Sequence, residues 1–392
     1  MLDTFANAPV RAGFKPRYKG EVPTLGYIAL EWMETYLSRP TVTWDEPFRP
    51  TREQAEFILR WYRIDPITGE RVYRRGVIQR PKGWGKSPFL AAIAAFEALG
   101  PCRFAGWDSN GRPVGQPWNA ERKVEITLLA VSEEQTRNAF EPMKEMMSSE
   151  HLLWEYPGVE VMETRILLPH NGLIAPRTSS ARSLEGKPNQ FTIADQTETW
   201  VPSNGGDRLG AVAKRNLSKA DGTLLEAPNA FVPGEGSFAE QTWNAWQKGM
   251  AGESFRNNIL YDPRDWGDPD LSAPSSIISG LEHAYGDSLK SPTGCKIHTP
   301  PCGVEGSPYP GGWVRINGVL DDVFDPATTL SDAARYFGNK PHASADAFIP
   351  YDVLQATTHE NLEASGIDPI TRQDMIVVGF DGSWGRSRGV TD

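Results

Sequence analysis

The apolar run from Phe89 to Leu99, broken once by Glu97, marks a buried helix. Ala91, Ala92, Ala94 and Ala95 are strong helix formers, and Gly100-Pro101 ends the run. Pro88 falls in the first turn, where its missing N–H costs nothing. Upstream, the stretch that opens at Arg75-Gly-Val-Ile-Gln79 reads as a short buried strand followed by a glycine-containing turn. Strand, loop and helix therefore follow one another without interruption.

The same pattern recurs downstream. Val124 to Val131 reads as a strand, partly alternating and partly buried, and Ser132 with Gln135 is a capping-box signature for a helix through about Met147. A second strand-to-helix unit implies a parallel sheet. Arg165 to Leu168 and Leu173 to Ala175 flank Pro-His-Asn-Gly172, a hairpin signal expected to make an antiparallel excursion from that sheet. Phe191-Thr-Ile-Ala-Asp195 is a strand ending on an acid. Leu209 to Leu217 reads as a helix, Thr223 to Ala230 as a strand with a polar tip, and Ser237 with Glu240 as a second capping box. Before the first strand, Ile28 to Tyr36 and Ala55 to Tyr62 carry apolar residues at helical spacing. The polar, glycine-rich stretch from Pro101 to Glu121 reads as a loop, and Asp262 to Gly312 as loops and short helices wrapping the core. Ala333 to Phe337 and Tyr351 to Leu362 look like small connecting helices, and Met375 to Asp381 like a buried strand.

Composition narrows the reading. At 392 residues the chain is long enough for a full α/β core and a second domain or a fragment of one. Its formal charge of -10 excludes a protein coated in basic charge, so any nucleic-acid contact must come from a local patch. Three cysteines, Cys102, Cys295 and Cys302, are too few for a disulfide framework. Cys295, His298 and Cys302 could in principle share a metal, but no fourth ligand sits nearby in sequence, which argues against zinc. No signal pattern or long uncharged apolar run is present, so the expectation is a protein away from membranes.

The chemistry concentrates at the first turn, Arg80-Pro-Lys-Gly-Trp-Gly-Lys-Ser87. In a phosphate loop, backbone N–H groups at a helix N-terminus hold phosphates, a lysine neutralises them and a hydroxyl ligates Mg²⁺. Gly83, Gly85, Lys86 and Ser87 fit these roles, although Arg80 stands where the full pattern has glycine. Asp195, at the end of its strand, is placed to hold Mg²⁺ through water. Gln54, just inside the helix that precedes the loop, carries an amide able to donate to and accept from an adenine edge.

Several stretches together resemble one family, the large terminase subunits of tailed bacteriophages, especially those infecting actinobacteria. They are Gln79 to Ser87, Ala130-Val-Ser-Glu-Glu-Gln135, Ser183-Leu-Glu-Gly186 leading to Ala194-Asp195, Pro228-Asn-Ala230, Asn258-Ile-Leu-Tyr-Asp262 and Arg335-Tyr-Phe-Gly-Asn339. The resemblance runs from about residue 45 to the C-terminus. It implies an ASCE-type P-loop NTPase, α/β with a mainly parallel sheet flanked by helices, followed by the start of an RNase H-like nuclease domain. The corresponding divisions are a lead segment over 1–45, the ATPase domain over 46–330, linker helices over 331–372 and an incomplete nuclease strand over 373–392. By the same resemblance Lys86 and Ser87 are the Walker A pair, Asp195 the Walker B acid, Gln54 the adenine contact and Asn229 part of the coupling to DNA movement.

Departures from the family pattern sharpen the expectations. Lys82 stands where the family has an arginine, keeping the charge without the bidentate fork. Gln196 stands where the catalytic glutamate follows the Walker B acid. Glu198 is the nearest free carboxylate and is favoured over Gln196 as the water-activating group. Asp381 matches the first nuclease aspartate, a metal ligand by ancestry. Two-metal cleavage needs further carboxylates that the sequence to Asp392 does not supply, so nuclease activity is not expected of this chain alone. The implied cofactors are ATP and Mg²⁺. The implied partners are double-stranded DNA, a portal protein on the procapsid, a small terminase subunit and further copies in a homo-oligomeric ring, all in the host cytoplasm. An arginine supplied in trans would come from Arg177, Arg182, Arg208 or Arg215. Alternatives are a helicase-like ATPase on nucleic acid and a non-hydrolysing nucleotide-binding assembly factor.

Overall fold

The computed structural model describes residues 13–41, 46–178, 189–254 and 258–343, all within one compact unit that spans residues 1–344. Ser183 to Gly186, Arg182, Tyr351 to Leu362, Met375 to the end and Asp381 lie outside the described residues.

The strands in chain order are β1 (Arg75–Gln79), β2 (Arg103–Trp107), β3 (Pro113–Gln116), β4 (Glu125–Leu129), β5 (Glu160–Val161), β6 (Ile166–Leu168), β7 (Gly172–Arg177), β8 (Phe191–Asp195), β9 (Thr223–Ala227) and β10 (Ile259–Pro263). Eight of them form one sheet in the order β10-β1-β9-β8-β4-β7-β6-β5. From β10 to β7 every pairing is parallel, and the β7–β6 and β6–β5 pairings at the edge are antiparallel. The central strands are buried on both faces, as parallel strands covered by helices must be, so they read as continuous apolar runs. Strand β9 stands between β1 and β8.

The helices include α1 (Gly26–Tyr36), α2 (Arg52–Trp61), α3 (Lys86–Leu99), α4 (Glu133–Met147), α5 (Glu150–Glu155), α6 (Gly206–Ala220), α7 (Phe238–Met250), α8 (Pro274–Tyr285) and α9 (Ile316–Val323). Helix α3 lies in the middle of the main core, with every residue from Phe89 to Leu99 buried. That explains its lack of a polar face. Glu97 is tolerated there because Arg71 bonds it at 2.7 Å and the Tyr62 hydroxyl donates to it at 3.0 Å. No helix among the described residues is long and apolar enough to cross a membrane.

Two expectations need correction. The stretch after Pro101 is not a plain loop: it folds into the antiparallel pair β2–β3, with an irregular register between Phe104 and Gly106. The hairpin at Asn171-Gly172 exists, but it is no excursion, because β7 pairs with β4 in the parallel sheet and β6 extends the same sheet outward. His170 and Asn171 take left-handed conformations to make that turn.

The capping boxes also differ. Ser132 and Ser237 each accept from the backbone N–H three residues on, at 3.2 Å in both cases. Their Gln and Glu partners bond elsewhere: Gln135 to Gln196, and Glu240 to the N–H groups of Gly234 and Gly236. A reciprocal box forms instead at Thr51 and Gln54 of α2.

Candidate nucleotide site

Parallel strands bring their C-terminal ends to one edge, and open α/β sheets bind ligands in the crevice there. Here β1 runs into the loop 80–85, β8 ends at Asp195, and β9, lying between them, ends at Ala227 and continues to Pro228-Asn229. The end of β9 ties both neighbours. The Arg80 N–H donates to Pro228 O at 3.3 Å and the Gln196 N–H to Ala227 O at 3.4 Å. Asn229 is therefore set between the phosphate-type loop and the acid-bearing turn by topology alone.

Its side chain joins them. Lys86 Nζ donates to Asn229 Oδ1 at 2.6 Å, and Asn229 Nδ2 donates to Glu198 Oε1 at 3.0 Å. Lys86 also donates to the carbonyls of Arg80 and Pro81, at 2.7 and 3.1 Å, which curls the loop around the ammonium. Burial pushes the Lys86 ammonium below the usual lysine range, opposed by the charges of Glu198 and Asp195. Burial likewise pushes Glu198 upward against the pull of Lys86. Asp195, almost fully buried, is pushed up to about 6 by burial, with Lys86 and the Gln196 N–H working the other way.

The loop itself is shaped by Gly83 and Gly85, whose φ of 87° and 92° no L side chain adopts without strain. Gly85 is also pinned from outside: a Cβ there would come within 2.5 Å of the Trp313 ring, and Trp313 Nε1 donates to Gly83 O at 3.0 Å. Gly85 is the N-cap of α3, no side chain caps it, and no acidic residue stands in the first turn. The opening N–H groups of α3 therefore keep their affinity for an anion. Ser87 sits in this first turn.

Arg80 turns out to be structural rather than a defect in the motif. Its guanidinium is buried and donates to the carbonyls of Gln79 and Asp262, at 3.0 and 2.6 Å. It pairs with Asp262 at 3.2 Å and Glu53 at 3.5 Å, and Arg264 pairs with the same Glu53 at 3.0 Å. This cluster fastens α2, the end of β1 and β10 beneath the loop. Sequence spacing does not reveal it, because the partners come from positions far apart in the chain.

The remaining expected residues divide. Gln54 is buried beside Glu53, and its side-chain oxygen accepts from the Thr51 N–H at 3.0 Å as part of the capping box. Lys82 is exposed; its backbone is held by Tyr336 O and the Tyr285 hydroxyl, each at 2.8 Å. Gln196 takes a left-handed conformation, φ 52°, and its side-chain oxygen accepts from Gln135 at 2.9 Å. Arg177 ends β7, while Arg208 and Arg215 lie on α6. The Arg335 to Asn339 stretch packs against the site: Asn339 O accepts from Gln79 at 3.3 Å and Arg335 Nε donates to Ala230 O at 3.3 Å.

The donor set fits a magnesium-bound nucleoside triphosphate on two observations. The α3 N-terminus is uncapped by any side chain, and Glu198 Oε2 is buried with no hydrogen-bond partner. A buried carboxylate oxygen without a partner costs stability unless a ligand or water completes it.

No protein-family model matches the chain. Its sequence is 30% identical over 406 aligned residues to the Gene 13 protein of Mycobacterium phage L5, covering 92% of this chain and 63% of that protein. The same figures hold for the Gene 13 protein of Mycobacterium phage D29. Its sequence relatives are phage proteins. The chain spans 63% of the length of these curated relatives. Among solved structures, the large terminase of bacteriophage HK97 is similar with a TM-score of 0.49 and 18% identity, over 66% of this chain and 47% of that one. The ATPase domain of the Thermus phage P74-26 large terminase gives a TM-score of 0.36 and 15% identity, over 55% of this chain and 80% of that domain.

Proposed function

We propose that the chain carries the ATP-hydrolysing motor of a phage large terminase, driving double-stranded DNA into a procapsid in the host cytoplasm. The observation that carries this reading is the bridge from Lys86 through Asn229 to Glu198 at the C-terminal edge of the parallel sheet. It joins the group assigned to neutralising phosphate to the buried carboxylate assigned to activating water, through the residue the terminase resemblance assigns to coupling.

Bound Mg²⁺ would neutralise charge building on the transferred phosphate, with Ser87 and Asp195 as the residues that hold it. Lys86 binds the outer phosphates, and the α3 N-terminus with Gly83 and Gly85 seats the chain of phosphates. Glu198 Oε2 orients a water and takes its proton. Its raised affinity for protons, caused by burial, suits it to general-base work near neutral pH. Glu198 is preferred to Gln196 because the Gln196 oxygen is engaged by Gln135, whereas Glu198 keeps one oxygen unpartnered. Gln54 is assigned the adenine contact through its amide nitrogen, since the capping box uses the oxygen. Lys82, exposed on the loop, supplies a mobile positive charge to the phosphates. Portal protein, a small terminase subunit and ring partners complete the assembly in this reading.

The test is DNA-stimulated ATP hydrolysis by the purified chain and by Lys86→Ala. The expected result is a loss of about 100-fold or more in the variant. Equal turnover in both proteins contradicts the reading. ATP-dependent strand displacement without procapsids would replace packaging by unwinding.

A further inference from the structure

The segment from Lys290 to Gly312 contains no helix or strand, yet it is closed at its base and drawn together in its middle. At the base, Leu289 and Val314 form a bridge, Lys290 N–H donates to Val314 O at 2.8 Å, and Trp313 N–H donates to Ser288 O at 2.9 Å. In the middle, Cys295, His298 and Cys302 place their ligand atoms within 4.8 Å of one another. Cys295 Sγ lies 3.4 Å and Cys302 Sγ 3.3 Å from His298 Nδ1. A tetrahedral zinc ion with Zn–S of about 2.3 Å and Zn–N of about 2.0 Å sets its sulfur and nitrogen ligands about 3.5 Å apart. Each thiol is therefore already at the spacing from the imidazole that a tetrahedral ion imposes.

One backbone N–H points at a cysteine sulfur, and a second ties the two cysteines together. Cys302 N–H donates to Cys295 Sγ at 3.2 Å, and Cys295 N–H donates to Cys302 O at 3.1 Å. An N–H directed at sulfur favours the charged form that binds metal. Both cysteines are buried and His298 is half-buried. Sequence alone argued against a metal because the chain offers no fourth ligand nearby. The fold supplies the geometry of three, which leaves one position for solvent.

We propose that Cys295, His298 and Cys302 bind a zinc-class divalent cation, with solvent in the fourth position, and that the ion staples the 290–312 loop. Binding releases the two thiol protons and forms two metal–sulfur bonds and one metal–nitrogen bond, with no change of oxidation state. The consequence reaches the nucleotide site, because the base of this loop carries Trp313, which rests on Gly83 and Gly85. The metal claim stands without the ATPase reading.

The test uses the full chain, reduced and stripped with chelator, then titrated with cobalt(II) and displaced by zinc(II). The expected result is one equivalent bound, with thiolate-to-cobalt charge-transfer and tetrahedral d–d bands, and slower hydrogen exchange over 290–312 on loading. Cys302→Ser should weaken binding at least 10-fold, whereas Cys102→Ser, whose thiol lies elsewhere in the core, should leave it unchanged. Should Cys302→Ser fail to fold, zinc protection of Cys295 and Cys302 from alkylation in the natural chain gives the same answer. Absence of the cobalt bands, alkylation that zinc does not slow, or a Cys295–Cys302 disulfide in protein purified under reducing conditions overturns the proposal.

Discussion

Two clusters of buried charge flank the end of β1, and they are built on opposite principles. On the β10 side, Arg80 Nε is buried without a partner but both terminal nitrogens are bonded, Arg264 shares Glu53, and Arg60 reaches Asp262 at 2.8 Å. On the β9 and β8 side, Glu198 has one neutral amide partner and an unpaired oxygen. Asp195 is held above its ordinary proton affinity, and Lys86 below its own. A neighbouring glutamate makes the contrast sharper: Glu226, equally buried on β9, receives Arg75 at 3.0 Å and has Thr242 against both its oxygens. The ion-paired carboxylates hold the sheet edge and the helices in place. Lys86 uses its three donors on Arg80 O, Pro81 O and Asn229, so Glu198 Oε2 is the open carboxylate atom that a ligand can complete with a gain of free energy.

Breaking the ion-paired cluster should have the larger effect on stability. Arg80→Met removes a buried guanidinium while Glu53 keeps Arg264 and Asp262 keeps Arg60. The expected cost is about 3 kcal/mol, at the low end for a broken buried pair, measured by urea denaturation. A loss below about 1 kcal/mol would mean that the cluster is not what fastens α2 to β10.

Breaking the other cluster should do the reverse. Asp195 binds its proton more tightly in the folded protein, with a pKa of about 6 against an ordinary value near 3.8. Such a group favours folding most at low pH, and that contribution is lost as pH rises through this interval. Asp195→Asn should therefore be more stable than the natural chain at pH 7, by about 2–3 kcal/mol without nucleotide or divalent cation. The advantage should close as pH falls toward 4. A destabilised variant at pH 7 would place Asp195 among the structural charges. Smaller still, Gln196→Ala should lower ATP turnover by less than about 10-fold, since it loses one neutral hydrogen bond to Gln135.

What was legible in the sequence follows the same division. Lys86, Ser87 and Asp195 belong to local strand-to-loop or strand-to-turn units, so short-range pattern exposes them. Glu198 and Asn229 were marked by family resemblance, and the reason they meet is that β9 lies between β1 and β8, which no local pattern encodes. Arg80 looked like a missing glycine because its partners stand at 53, 262 and 264. Trp313 went unnoticed because it touches the loop from 230 residues away. The β2–β3 pair was read as a loop because its strands are only partly buried, glycine-rich and irregular in register. At Gln54 the sequence suggested an adenine contact, and the structure shows its side chain capping α2.

The most direct test of the account compares Glu198→Gln with the natural chain, measuring Mg·ATP binding by calorimetry and steady-state ATP hydrolysis in the presence of DNA. The substitution keeps the Asn229 contact possible and removes the group that takes the proton. The account predicts near-normal binding with turnover reduced by about 10²–10⁴. Near-normal turnover in Glu198→Gln, or loss of binding and turnover together, would contradict it.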